Sequence, residues 1–283
     1  MQWIPTFTLF LFLYPLGWLI SYLYYVFQSE ISSNDLSIIG TIITFLLFLL
    51  LLPSWAKSRW GTNNLWSDIG LDFKYQFKAI KTFLNGFIWS FFLLLIFLLF
   101  IFFCGWVKDF NFLGWDSFLN SVVLILGIVF AEEIIFRVWL LEEMVLLFGL
   151  KRGIIFQSLI FSLAHYRSDI GLLALIPFFS GLFFFGLVLT LRKTIDRGSL
   201  MGCIGFHGGL VGIWYLIDAG LITFSIETPY YFLGPSREMI NPIGSIFGIS
   251  ILLIIIFVQR RLFARTGRFL ISTVKASFRD EIP

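Results

Sequence analysis

Long apolar stretches alternate with short polar connections along the whole chain. The stretches lie at residues 3–27, 37–55, 83–106, 117–145, 153–166, 170–191, 199–217 and 243–258. Because a helix rises about 1.5 Å per residue, most of them are long enough to cross a hydrocarbon core of about 30 Å. The fifth stretch is too short to cross alone. The pattern predicts an all-α, polytopic membrane helix bundle with about eight transmembrane helices.

The composition supports a membrane protein and excludes several other classes. Of the 283 residues, 59% are hydrophobic and 13% are charged, whereas soluble domains average about 25% charged residues. A net charge of +3 and the lack of a basic block with interleaved aromatic residues argue against a nucleic-acid partner. Two cysteines exclude a disulfide-rich secreted scaffold. We therefore expect the lipid bilayer to surround most of the chain.

The distribution of basic residues predicts the orientation of this multi-pass protein. Most of the 20 Lys and Arg lie in every second connection and in the C-terminal tail; the sixth connection contains Arg192, Lys193 and Arg197. By the positive-inside rule, the N-terminus is extracytoplasmic and the C-terminus is cytoplasmic. The N-terminal segment MQWIPTFTLF has no positive region or small-residue cleavage site. It is expected to be a retained first span rather than a signal peptide.

The spacing of the helices predicts three parts of the chain. Residues 1–116 hold helices 1–3 and a cytoplasmic linker, residues 117–258 form a core of helices 4–8, and residues 259–283 form a basic cytoplasmic tail. The linker at 57–81 is the longest polar connection, and its sequence DFKYQFKAIKTF mixes basic and aromatic residues. This segment is either an amphipathic helix entry in the membrane interface or an ordinary solvated loop.

The fourth helix carries charged residues in an apolar setting, which is energetically expensive in a bilayer. Glu132 and Glu133 lie near its middle, and Arg137 follows four residues after Glu133. Residues i and i+4 share a helix face, so we expect Glu133 and Arg137 to neutralise each other. Glu132 points about 100° away and has no local partner. Glu142 and Glu143 are expected near the cytoplasmic interface, facing Lys151 and Arg152.

The two histidines of the chain, His165 and His207, both lie in or at the end of apolar helices. A single histidine on an apolar face is usually a satisfied core residue. Two of them beside a carboxylate pair in the membrane point to a functional site instead. We therefore predict a polar intramembrane cavity in which Glu132, His165 and His207 meet.

These motifs resemble those of the CPBP intramembrane proteases, the CAAX protease and bacteriocin-processing (Abi) family. The family pattern is EExxxR, then FxxxH, then a later helix with His. Here it corresponds to Glu132-Glu133 with Arg137, to Phe161 with His165, and to His207. The resemblance covers roughly residues 117–258 and implies an eight-helix fold with glutamic endopeptidase activity. It departs at Val211, four residues after His207, where eukaryotic CAAX proteases carry Asn.

The resemblance and the residue chemistry together give a hypothesis for the mechanism. Glu132 and His165 position and deprotonate a water molecule, and His207 stabilises the oxyanion or assists the leaving group. Glu133 and Arg137 give structural support, and Phe161 is a secondary candidate. The expected substrate is a membrane-associated peptide or protein. The eukaryotic relatives trim prenylated CAAX ends, whereas bacterial ones are linked to peptide maturation and self-immunity.

Three alternatives stay open at this point. Glu132, His165 and His207 also form a plausible zinc ligand set, but HExxH is missing and the resemblance implies neither a metal nor another cofactor. The chain could instead be a catalytically inactive immunity or assembly factor. A proton-coupled transporter would use the same polar residues as a relay, although we find no internal repeat of the kind that transporters show.

Overall fold

The computed structural model describes residues 3–27, 33–71, 76–237 and 239–271. It is 80% helical and has almost no strand. Each of the eight apolar stretches lies on a helix. Among the described residues, seven helices are long and apolar enough to cross a membrane. The fold class that we predict, an all-α polytopic bundle, is therefore confirmed, while the polar cavity and the orientation of the termini stay predictions.

The chain divides into two compact units. The first comprises the described residues up to Leu65 together with Ile271, and its helices are α1 (Ile4–Phe27) and α2 (Ser33–Trp60). The Ser21 hydroxyl of α1 donates to the carbonyl of Leu36 of α2 over 2.9 Å. Gly17 lies directly against Thr44, so the missing side chain lets the two helices approach closely.

The second unit comprises the described residues from Trp66 to Leu270. A short helix, α3 (Leu65–Asp68), begins at the last residue of the first unit. The other helices and strands of the second unit are α4 (Gln76–Phe103), β1 (Val107–Phe110), α5 (Trp115–Val123), α6 (Val129–Glu133), α7 (Leu141–Phe148), α8 (Leu150–Ala164), α9 (Leu172–Ile195), α10 (Met201–Leu216), β2 (Ile222–Phe224), α11 (Tyr230–Leu233), α12 (Ile246–Gln259) and α13 (Phe263–Thr266). β1 and β2 pair antiparallel.

Helices α5, α6 and α7 belong to one apolar run from Trp115 to Phe148. Two π-helical segments, Leu124–Ile128 and Ile134–Leu140, interrupt its α-helical geometry. Helix α8 has 15 residues, which agrees with the expectation that this stretch is too short to cross alone. Helix α9 extends to Ile195, so Arg192 and Lys193 are buried helix residues and not the loop residues that we predict.

Two predicted features fall partly outside the described residues. The basic tail over 259–283 is described only as far as Ile271, where the chain forms short helical turns up to Phe269. The segment DFKYQFKAIKTF, with its basic and aromatic residues, spans residues 72–83. Residues 72–75 lie outside the described residues, and the remainder forms the beginning of α4 at Gln76. The three-part division of the chain and the interfacial nature of this segment stay predictions.

Helix α10 packs against α4 through glycines. A Cβ atom on Gly205 would overlap the backbone carbonyl of Phe83, and one on Gly86 would overlap the backbone carbonyl of Gly202. Small residues at such positions allow two membrane helices to approach through their backbones. This close contact fixes the height and rotation of α10, which carries His207.

We predict that Gly205→Ala destabilises the folded protein by about 1–3 kcal/mol, because the added methyl group forces α4 and α10 apart. Thermal unfolding in detergent, followed by tryptophan fluorescence, measures the effect. Gly127→Ala is the matched control, since its Cβ would meet nothing within 4 Å. An equal loss of stability in both variants would contradict this account of the packing.

Candidate active site

Helix α6 presents the two adjacent carboxylates Glu132 and Glu133, and a π-helical segment lies on each side of it. The exposed fractions of the two side chains differ: Glu132 is 26% exposed and Glu133 is fully buried. π-Helical turns occur frequently at functional sites. The apolar pattern alone predicts one regular helix here and gives no sign of these turns.

The two imidazoles and Glu132 come together from three separate helices. The Nε2 atom of His165, at the end of α8, lies 3.7 Å from Oε1 of Glu132. The Nε2 atom of His207, from α10, lies 3.7 Å from the other oxygen, Oε2. These distances are longer than direct hydrogen bonds. They leave each imidazole facing its own carboxylate oxygen, within reach of a bridging water.

The other ring nitrogen of each histidine is held by a hydrogen bond. Nδ1 of His165 lies 2.8 Å from the carbonyl oxygen of Phe161, which can only accept. Nδ1 of His207 lies 2.8 Å from Oε1 of Glu133, and an ionised carboxylate also accepts. Both Nδ1 atoms therefore carry the proton when the rings are neutral. Their Nε2 atoms are then left as bases that face Glu132.

Glu133 has two partners, of which the sequence indicates one. Its Oε2 atom lies 3.7 Å from Nε of Arg137, and both side chains are fully buried. This is the i,i+4 pair that we predict. Its Oε1 atom binds His207, which lies 74 positions later in the chain. Sequence reasoning missed this second contact because no local spacing relates the two residues.

Phe161 packs against both the ion pair and the histidines. The guanidinium carbon of Arg137 lies 4.2 Å from the centre of its ring, which is the geometry of a cation–π contact. The ring centres of His165 and His207 lie 4.7 and 6.1 Å from that of Phe161. Phe161 is fully buried, so it forms the apolar wall behind the polar groups.

The three side chains of the candidate site differ in how exposed they are. The side chains of Glu132 and His165 are about a quarter exposed, whereas that of His207 is 4% exposed. The loop beyond His165 contains an exposed ion pair, in which Arg167 makes two hydrogen bonds to Asp169 of 3.0 and 2.6 Å. These bonds hold the pKa of Asp169 below its usual value. The site therefore opens on the side of Glu132 and His165.

Glu142 and Glu143 do not face the membrane interface as we predict. Both side chains are fully buried, and Oε1 of Glu142 lies 3.9 Å from Nζ of Lys193 on α9. The prediction rests on the position of both residues near the end of the apolar stretch, close to Lys151 and Arg152. Position along the chain does not show which way a side chain points, and here Lys193 of α9 lies within reach of Glu142.

Among the residues that the structure describes, no group of three or more His, Cys, Asp or Glu has the geometry to hold a metal ion. The metal-free interpretation of Glu132, His165 and His207 stays a prediction. Glu132, His165 and His207 can exchange protons through a water molecule, because the Nε2 atom of each imidazole faces an oxygen of Glu132.

Comparisons with known proteins relate part of the chain to a family of peptidases. Residues 114–213 match the model of a family described as type II CAAX prenyl endopeptidase Rce1-like. The matched segment includes every candidate site residue from Glu132 to His207, and it confirms the resemblance to CPBP proteases. Residues 1–64 match a domain of unknown function, DUF8676. Neither the curated proteins nor the solved structures gave a match. The family match supports a protease-like function in general.

We predict that both histidines have a protonated Nδ1 and an unprotonated Nε2 whenever their rings are neutral, because each Nδ1 donates to a buried acceptor. ¹⁵N spectra of protein labelled at histidine measure this, and the chain contains only 2 histidines. Glu133→Gln should shift the His207 resonance and leave that of His165 unchanged. A protonated Nε2 on the neutral rings would contradict the geometry described above.

Proposed function

We propose that this protein is an intramembrane endopeptidase that hydrolyses a peptide bond of a membrane-associated protein or peptide. One observation carries the proposal: the Nε2 atoms of His165 and His207 each face a different oxygen of Glu132, at 3.7 Å. Peptide hydrolysis by water needs a base, an acid and a donor to the oxyanion. This arrangement offers groups for all three tasks around one small volume.

In the proposed reaction, Glu132 and His165 activate the water molecule. They are the more exposed members of the set, so water and the substrate can reach them. The water oxygen attacks the carbonyl carbon, and its proton passes to Glu132 or to the free Nε2 of His165. The bond between the carbonyl carbon and the amide nitrogen then breaks, and the proton taken from water is transferred to the leaving amine.

His207 is proposed to stabilise the oxyanion of the tetrahedral intermediate. For this it must donate from Nε2, and its Nδ1 proton already binds Glu133, so His207 acts as an imidazolium. The buried carboxylate of Glu133 accepts the Nδ1 proton at 2.8 Å and so holds the ring with Nε2 toward Glu132. Val211 has no polar group to assist it, which gives Glu133 and His207 a larger share of the task than in relatives with Asn.

The surroundings of the available nucleophiles favour water over a covalent mechanism. The Ser162 hydroxyl, three residues before His165, donates to the carbonyl of Phe179 over 2.7 Å. The Cys203 thiol is fully buried and donates to the carbonyl of Leu189 over 3.3 Å. A nucleophilic serine or cysteine would instead hydrogen-bond a basic histidine.

We predict that Glu132→Gln lowers the rate of cleavage by about 10²–10⁴-fold, because a neutral amide cannot accept the proton of water. The assay uses the purified full chain in lipid nanodiscs and a quenched fluorescent peptide ending in a prenylated CAAX sequence, chosen from the name of the matched family. Glu227→Gln, at an exposed glutamate of the loop before α11, is the control and should keep full activity.

Two results of this assay would count against the proposal. Full activity of Glu132→Gln would exclude Glu132 as the base. Failure of the wild type to cleave prenylated and unprenylated membrane-anchored peptides would favour the alternative of an inactive immunity or assembly factor. A proton flux across sealed vesicles that depends on Glu132 would favour the transporter instead.

We also predict that strong chelators leave the cleavage rate unchanged, because the described residues do not provide a metal-ligand cluster. The rate is measured before and after prolonged incubation with 1,10-phenanthroline or EDTA, followed by their removal. Loss of activity that added Zn²⁺ restores would overturn the metal-free mechanism.

A further inference from the structure

The π-helical segment Ile134–Leu140 leaves one backbone carbonyl of the catalytic helix without a partner in that helix. The amide of Leu141 donates to the carbonyl of Phe136, five residues earlier. In a regular α-helix it would donate to the carbonyl of Arg137, four residues earlier. Where π-helical bonding returns to the α-helical pattern, one carbonyl is skipped, and here this carbonyl belongs to Arg137.

The ammonium group of Lys193 takes the place of the missing amide. Its Nζ atom donates to the carbonyl oxygen of Arg137 over 2.8 Å, and this bond is buried. The side chain of Lys193 is 3% exposed, and the same Nζ lies 3.9 Å from the buried carboxylate of Glu142. A buried carbonyl without a partner is costly, and a charged donor makes a strong hydrogen bond. Lys193 therefore stabilises the π-helical turn against a regular α-helix.

The turn that Lys193 stabilises controls the position of the site. Arg137 lies within it, and the guanidinium of Arg137 contacts Glu133 and the Phe161 ring. Glu133 in turn binds Nδ1 of His207. If the turn relaxed to a regular α-helix, the backbone between Glu133 and Glu142 would have to rotate. Glu133 and His207 would then lose their alignment.

We propose that Lys193 is a positioning residue: its bond to the Arg137 carbonyl holds the π-helical turn that aligns Glu133 with His207. The geometric part of this inference rests on the contacts above. Its effect on catalysis rests on the proposed function. The contacts that carry this role are those of Lys193 with the Arg137 carbonyl and with Glu142, so it acts through the helix.

The test compares Lys193→Met with Thr194→Val in the full chain in nanodiscs. Methionine has a similar length and shape but no donor and no charge. Thr194 is the matched control, because it is the next residue on α9, is buried, and bonds to Thr266 and to the Thr190 carbonyl. The readouts are the ¹⁵N resonance of His207 Nδ1 and the separate values of kcat and KM for the probe peptide.

For Lys193→Met we expect a shifted His207 resonance and a kcat lowered about tenfold or more, with KM unchanged, as loss of a charged hydrogen bond implies. Lys193→Arg should bring both kcat and the His207 resonance part of the way back toward their wild-type values. Thr194→Val should change neither kcat nor the resonance, even if it lowers stability. An unchanged resonance and kcat in Lys193→Met, or equal effects in the two variants, would overturn the proposal.

If Lys193→Met does not fold, Lys193→Gln takes its place. Glutamine keeps a polar end group, but its side chain is one bond shorter, so it no longer donates to the backbone carbonyl of Arg137. The same expectations and the same contradicting outcome apply to it. The resonance does not depend on cleavage. If the wild type cleaves nothing, the proposed function fails, while the His207 resonance still decides whether Lys193 holds the site.

Discussion

The buried carboxylate of Glu133 is the interaction on which the rest of the site depends. Taking a carboxylate out of water costs several kcal/mol by order of magnitude, and Glu133 is fully buried. Its charge is offset by Arg137 on the same helix and by the Nδ1 proton of His207 from α10. One group thus both balances a buried guanidinium and fixes the orientation of an imidazole.

The two neighbouring glutamates lie in different environments, and the roles proposed for them follow from that difference. Glu133 points into the protein and holds other residues in place, whereas Glu132 is partly exposed and faces two basic nitrogen atoms. Adjacent positions on a helix point about 100° apart, so an EE pair naturally supplies one inward and one accessible carboxylate. The proposed division between a supporting and a catalytic carboxylate follows from this rotation.

The packing of the bundle supplies the precision that the site needs. Helices α4 and α10 approach through their backbones at glycines, and Phe161 fills the space behind the polar groups. The helix that carries Glu132 and Glu133 contains a π-helical turn, and Lys193 of a neighbouring helix donates to a backbone carbonyl of that turn. A bilayer offers no water to satisfy such a carbonyl, so the neighbouring helix has to provide the donor.

The amino-acid sequence alone determined the helix positions, the membrane class, the Glu133–Arg137 pair and the candidate residues Glu132, His165 and His207. These follow from periodicity and from the rarity of charges in apolar segments, which are local properties. Only the tertiary structure decided the Glu133–His207 bond, the burial of Glu142 and the bond of Lys193 to Arg137. Each of these joins residues on different helices or depends on π-helical turns. Such contacts arise from the packing of whole helices, and no local spacing in the chain encodes them.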